Sequence, residues 1–159
     1  MEKPIIVSAC LLGYNCKYNG KNNQNEKIIN YLKDKDYLAV CPEQLGNLST
    51  PRKKSELNHC SAKDVFLKKG KVINEEKKDV SENFINGALK AFDYAIKYQV
   101  EAAILKEKSP SCGFRCIYNG DFNSTLVNGE GLFAYLLKKH NVKILTEEDF
   151  REEKKNETN

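Results

Sequence analysis

Six cysteines in a chain of 159 residues, Cys10, Cys16, Cys41, Cys60, Cys112 and Cys116, are the first chemistry the sequence offers. They contain no CxxC pair, which disfavours a zinc ribbon or a thioredoxin-type redox motif. Two of them fall in "SPSCGFRC" (109–116), soon after the apolar run "AAILK". Soft thiolates scattered in this way suit zinc, copper(I) or an iron–sulfur cluster. Three thiolates on a cubane cluster would leave one iron open as a Lewis acid. Thiols that merely fill space in a core are the plain alternative, and spacing alone leaves all of these open.

The neighbours of the cysteines add proton chemistry. "CPEQLGNLSTPR" (41–52) puts Glu43 two residues beyond Cys41, with Pro42 stiffening the chain between them. Ser109 and Ser111 flank Pro110 just before Cys112, and Gly113 allows a tight path after it. A carboxylate and a hydroxyl beside a Lewis acid are the parts needed to move protons and activate water. A surface glutamate and turn serines would use the same residues without chemistry.

Four short apolar runs must position these groups: "PIIVSA" (4–9), "YLAVC" (37–41), "EAAILK" (101–106) and "NVKILT" (141–146). Each is aliphatic on both faces, as parallel strands covered on both sides require. Helical periodicity occupies 25–35, 81–99 and 130–140, the second with Ser81 as its expected N-cap. "DVFLKKGKVI" (64–73) reads as a small hairpin around a lysine–glycine turn. The expected fold is therefore a single α/β domain over 1–150. Its open, mostly parallel, Rossmann-like sheet carries helices on both faces and a small appended hairpin. "REEKKNETN" (151–159) is expected to be a disordered, charged tail. Cys10 directly follows the first strand, Cys41 ends the second and Cys112 lies six residues past the third, so all three are expected at the carboxyl edge of the sheet, where such folds bind ligands.

A net charge of +4 is too weak to establish a nucleic-acid partner, and none is expected. Arginine occurs only at Arg52, Arg115 and Arg151; Arg52, with Lys106, borders the cysteine-bearing loops. The short apolar N-terminal run is neither a signal peptide nor a membrane span, so a cytoplasmic protein without a membrane partner is expected.

The segments "VSACLLGYNCKYNG", "CPEQLGNLSTPR", "LKEKSPSCG", "IYNGDF" and "GEGLFAYLL" together resemble the successive signatures of a bacterial family that includes the thiouracil desulfidases. The likeness runs from about residue 5 to residue 147. It implies non-redox desulfuration of a thiolated nucleobase, with hydrosulfide as the second product. It implies a [4Fe-4S] cluster held by Cys10, Cys41 and Cys112, with the thione sulfur on the open iron. Glu43 then becomes the proton carrier and Ser109, preferred over Ser111, the relay. Ser111, Arg52 and Lys106 are expected substrate contacts, and the partner is a small thio-compound. Aerobic handling is expected to leave the site empty or holding zinc.

Cys16 is the awkward residue, because a fourth ligand there would close the iron; it is treated as a nearby thiol. Tyr18, Tyr118 and Asp121 are candidate pocket residues. Cys60, Cys116, His59 and His140 are taken as incidental. A sulfur-transfer protein is a rival reading, weakened by the lack of a P-loop. A non-catalytic metal-binding or redox-sensing module is another.

Overall fold

The four apolar runs become four parallel strands of one sheet; the central two, at 5–8 and 102–105, are covered on both faces, whereas Tyr37 and Ala39 of the edge strand stay exposed. The computed structural model describes residues 3–151. In chain order the elements are β1 (Ile5–Ser8), α1 (Glu26–Tyr31), β2 (Tyr37–Val40), α2 (Pro42–Leu45), β3 (Ser55–Leu57), α3 (Ala62–Phe66) and β4 (Val72–Asn74). After them come α4 (Ser81–Lys97), β5 (Ala102–Leu105), β6 (Cys116–Tyr118), β7 (Leu126–Asn128), α5 (Leu132–Lys139) and β8 (Lys143–Thr146). The sheet order is β2-β1-β5-β8, with Ile5 opposite both Tyr37 and Ala102. The chain leaves β1 for one side and returns to its other side at β5. This reversal opens a crevice at the carboxyl ends of the strands.

Side chains alternate between two cores, as the two-residue period of a strand demands. Ile6, Ala103, Leu105 and Ile144 join Phe84, Ala88, Phe133 and Leu137 of α4 and α5 on one face. Val7 and Ile104 meet Ile28 and Leu32 near α1 on the other. Helices thus cover both faces, as expected. Leu89 and Ile96, although spaced with the apolar stripe of α4, are each 43% exposed.

The hairpin expected at 64–73 is misplaced. Residues 62–66 form α3, because Ser61 and Asp64 make a reciprocal capping box that starts a helix there. Only the second half, β4, is a strand, and it pairs antiparallel with β3. A further antiparallel pair, β6–β7, has no counterpart among the elements expected from the sequence. Nor is Ser81 an N-cap: it is the first helical residue, its buried Oγ accepts the Val72 N–H, and Asp79 accepts the Ser81 N–H. The tail expected at 151–159 lies, beyond Arg151, outside the described residues. Among the described residues, no helix is long and apolar enough to cross a membrane.

One helix contact sets the position of the second cysteine loop. Gly46, just after α2, meets Gly87 inside α4, and Asn83 donates a 2.8 Å hydrogen bond to the Gly46 carbonyl. A Cβ on Gly87 would lie 1.9 Å from the Pro42 carbonyl oxygen. Gly87→Ala is therefore expected to destabilise the protein by about 1–3 kcal/mol despite alanine's better helix propensity. Urea denaturation checks this, and a neutral or stabilising result would show that α2 can shift without cost.

Candidate functional site

Each cysteine loop begins where a strand stops. Ser8 ends β1 and leads through a single turn of 3-10 helix (Ala9–Leu12) that carries Cys10. Cys41 follows β2 and stands at the N-cap of α2, so Pro42 and Glu43 form the first turn. Cys112 lies in the loop after β5, which α5 ties down. The Leu132 N–H donates to the Pro110 carbonyl, and the Phe133 and Ala134 N–H groups to that of Ser111. The loop thus satisfies the free amides of a helix N-terminus, which links "SPSCG" to "GEGLFAYLL". Gly131 is required at that joint, since a Cβ would lie 2.4 Å from the Ser111 carbonyl carbon.

Cys10, Cys16, Cys41, Cys112, Glu43 and Ser109 line one cavity of about 390 Å³, together with Arg52, Lys106, Tyr18 and Tyr118. Strands remote in sequence therefore bring the three expected thiols together. Ser111 is wholly buried, does not line the cavity, and its Oγ has no hydrogen-bond partner. Ser109 does line it, and its Oγ accepts the N–H groups of Ser111 and Cys112, both at 3.0 Å. Two amides on that oxygen polarise the hydroxyl and leave its proton to donate. Asp121 is not a cavity residue: it pairs with His59 at 2.7 Å in an exposed contact. Cys60 reaches the Lys71 carbonyl, and neither it nor Cys116 lines the cavity.

The thiols differ in their surroundings. Burial pushes Cys10 up to about 11, against a hydrogen bond from Asn23 Nδ2 and the nearby Lys106 ammonium. Burial also raises Cys112 well above the ordinary thiol value, and the charges of Glu43, Cys10 and Cys41 add to the rise. Cys41 is lowered, first by a hydrogen bond from the Cys16 thiol, with Arg52 contributing; Cys16 is raised by the same bond. Cys41 Sγ also lies 3.8 Å from the Cys16 carbonyl and 3.7 Å from Glu43 Oε1. A buried set of sulfurs beside a carboxylate disfavours ionisation of its own members, and a bound cationic centre reverses that preference. Soft sulfur donors lining one cavity are the kind of ligand that a thiophilic metal cluster takes. Among the described residues no three His, Cys, Asp or Glu side chains are grouped to hold a single ion, so the geometry lends no support to a zinc replacement.

The cations named from the sequence are already engaged. Lys106 Nζ pairs with Glu147 at 3.1 Å and donates to the Glu107 carbonyl. Arg52 donates to the carbonyls of Ser49 and Cys16, stitching the two loops that carry Cys16 and Cys41. Two buried carboxylates escaped the sequence reading. Glu107 Oε1 accepts the N–H groups of Phe114 (2.6 Å) and Arg115 (2.9 Å), clamping the turn after Cys112. Glu56 Oε1 does the same for Gly120 and Phe122. Both stand among lysines, as solvated surface acids do, so only their burial distinguishes them.

The model of the 2-thiouracil desulfurase family matches residues 5–149. The chain belongs to that family. It is 38% identical over 148 residues to the uncharacterised protein YbbK of Bacillus subtilis (strain 168), covering 93% of this chain and 98% of YbbK. Its fold is similar to that of the [4Fe-4S]-dependent thiouracil desulfidase TudS, with a TM-score of 0.79, 34% identity and 93% of each chain covered. The family resemblance and the Rossmann-like α/β fold expected from the sequence are thereby established, and the chain is a thiouracil desulfidase-like enzyme.

Proposed function

We propose that this protein removes the thione sulfur of a thiolated pyrimidine such as 2-thiouracil, replacing it with the oxygen of water and releasing hydrosulfide. The observation that carries this reading is the meeting of Cys10, Cys41 and Cys112 with Glu43 and Ser109 around one cavity at the sheet's carboxyl edge. Membership of the 2-thiouracil desulfurase family and the likeness to TudS support it.

Cys10, Cys41 and Cys112 would hold a [4Fe-4S] cluster. When bound, it supplies Lewis acidity toward the thione sulfur and requires no net electron transfer. The chain's own residues manage the rest. Glu43 carries the proton released as water attacks the ring carbon, and Ser109, with two amides on its oxygen, relays one by donating its hydroxyl proton. Lys106 and Arg52 supply positive charge that favours the thiolates of Cys10 and Cys41, and both line the space the substrate enters. A cavity of about 390 Å³ has room for a single pyrimidine ring, which Tyr18 and Tyr118 can contact.

Iron and acid-labile sulfide content after anaerobic reconstitution tests the ligand set. Cys10→Ser, Cys41→Ser and Cys112→Ser are each expected to lose the cluster and its visible absorption, whereas Cys16→Ser keeps both. A cluster that survives any of the first three, or needs Cys16 equally, would overturn the assignment. Thiouracil turnover by the loaded wild type then tests the reaction itself.

A further inference from the structure

Cys16 is a buried thiol for which desulfuration has no use, 5% exposed and lining the same cavity as Cys41, whose thiol reaches its backbone. The contact is built rather than incidental. Arg52 Nη2 holds the Cys16 carbonyl at 2.9 Å, and Cys41 Sγ lies 3.8 Å from the same oxygen. Cys10, by contrast, is held elsewhere: its Sγ accepts from Asn23 Nδ2 at 3.4 Å. Cys16 sits between the 3-10 turn and α1, in a segment without regular secondary structure, so its approach to Cys41 breaks no helix or strand ladder.

We infer that Cys16 and Cys41 are a reversible disulfide pair, formed when peroxide reaches the metal-free site. Hydrogen peroxide oxidises the Cys41 sulfur to a sulfenic acid with loss of one water, and Cys16 Sγ then displaces the hydroxyl as a second water. Two thiols and one peroxide become one disulfide and two waters. The bond occupies one sulfur of the expected cluster set, so it blocks loading until a thiol reductant reopens it; this consequence rests on the function proposed above. It also spares Cys41 the irreversible step to a sulfinic acid, to which a lone thiol proceeds.

The metal-free protein, prepared anaerobically and treated with a small excess of hydrogen peroxide, gives the test. Thiol titration is expected to fall by two of the six cysteines, and the mass by two hydrogens, both restored by dithiothreitol. Peptide mapping under non-reducing conditions is expected to join the peptides holding Cys16 and Cys41. Under the same treatment Cys16→Ser and Cys16→Ala are expected to gain two oxygens on Cys41 that dithiothreitol does not remove. Unchanged thiols, a bridge to Cys10 or Cys112, or a reducible Cys41 in both variants would overturn the inference. A mapped 16–41 bridge in a protein that takes up no iron even after reduction would uphold the pair and overturn the cluster assignment instead.

Discussion

Exchanging Glu43 for glutamine is expected to lower thiouracil turnover by about a hundred- to ten-thousand-fold while leaving iron and sulfide content at the wild-type level. The amide keeps the size of the side chain and its place in the first turn of α2, but it can neither take nor deliver a proton. Cys41 Sγ stands 3.7 Å from Glu43 Oε1, so the substitution also removes a negative charge beside a thiol, which can only favour its ionisation. Loss of turnover with the cluster intact would therefore come from proton transfer rather than from assembly. Retained turnover would remove the carboxylate from the mechanism and bring forward the reading of a cluster-binding module.

The second large effect concerns Glu107, a cavity-lining residue that is 3% exposed and whose carboxylate accepts the Phe114 and Arg115 N–H groups. Glu107→Ala strands the amides of Phe114 and Arg115 in a partly buried turn. It is expected to cost about 3 kcal/mol, since each stranded donor costs roughly 1–3 kcal/mol. Arg115 also loses one of its two acid partners, keeping Asp149 at 3.0 Å. Because that turn directly follows Cys112, iron uptake is expected to fall as well. Glu107→Gln retains an acceptor oxygen and is expected to recover most of the stability while losing the contact to Arg115. Urea denaturation of the three proteins, with iron content after reconstitution, separates the outcomes. A stable, fully loaded Glu107→Ala would show that α5 alone holds the loop.

Local pattern was enough where a signal is carried by neighbouring residues. All four strands of the sheet were legible because a run of aliphatic residues on both faces needs cover on both, and α4 because its apolar residues recur at helical spacing over seventeen residues. Residues 64–66 were misread because Val65 and Phe66 suit a short strand as well as a helix, and the Ser61–Asp64 capping box that decides between them lies just upstream. Ser111 and Ser109 are equivalent in the motif. They are distinguished only by which of them the α5 contact turns inward.

The sequence by itself determined the α/β class, the placing of Cys10, Cys41 and Cys112 at strand ends, and the family, because strand periodicity and short motifs are properties of adjacent residues. The tertiary structure alone decided that the Cys41 thiol reaches the backbone of Cys16, that Glu107 and Glu56 are buried clamps, and that Gly87 must be glycine to admit the Pro42 carbonyl. Those facts depend on which distant backbone passes a residue, and sheet order and helix packing fix that path only once the chain has closed on itself.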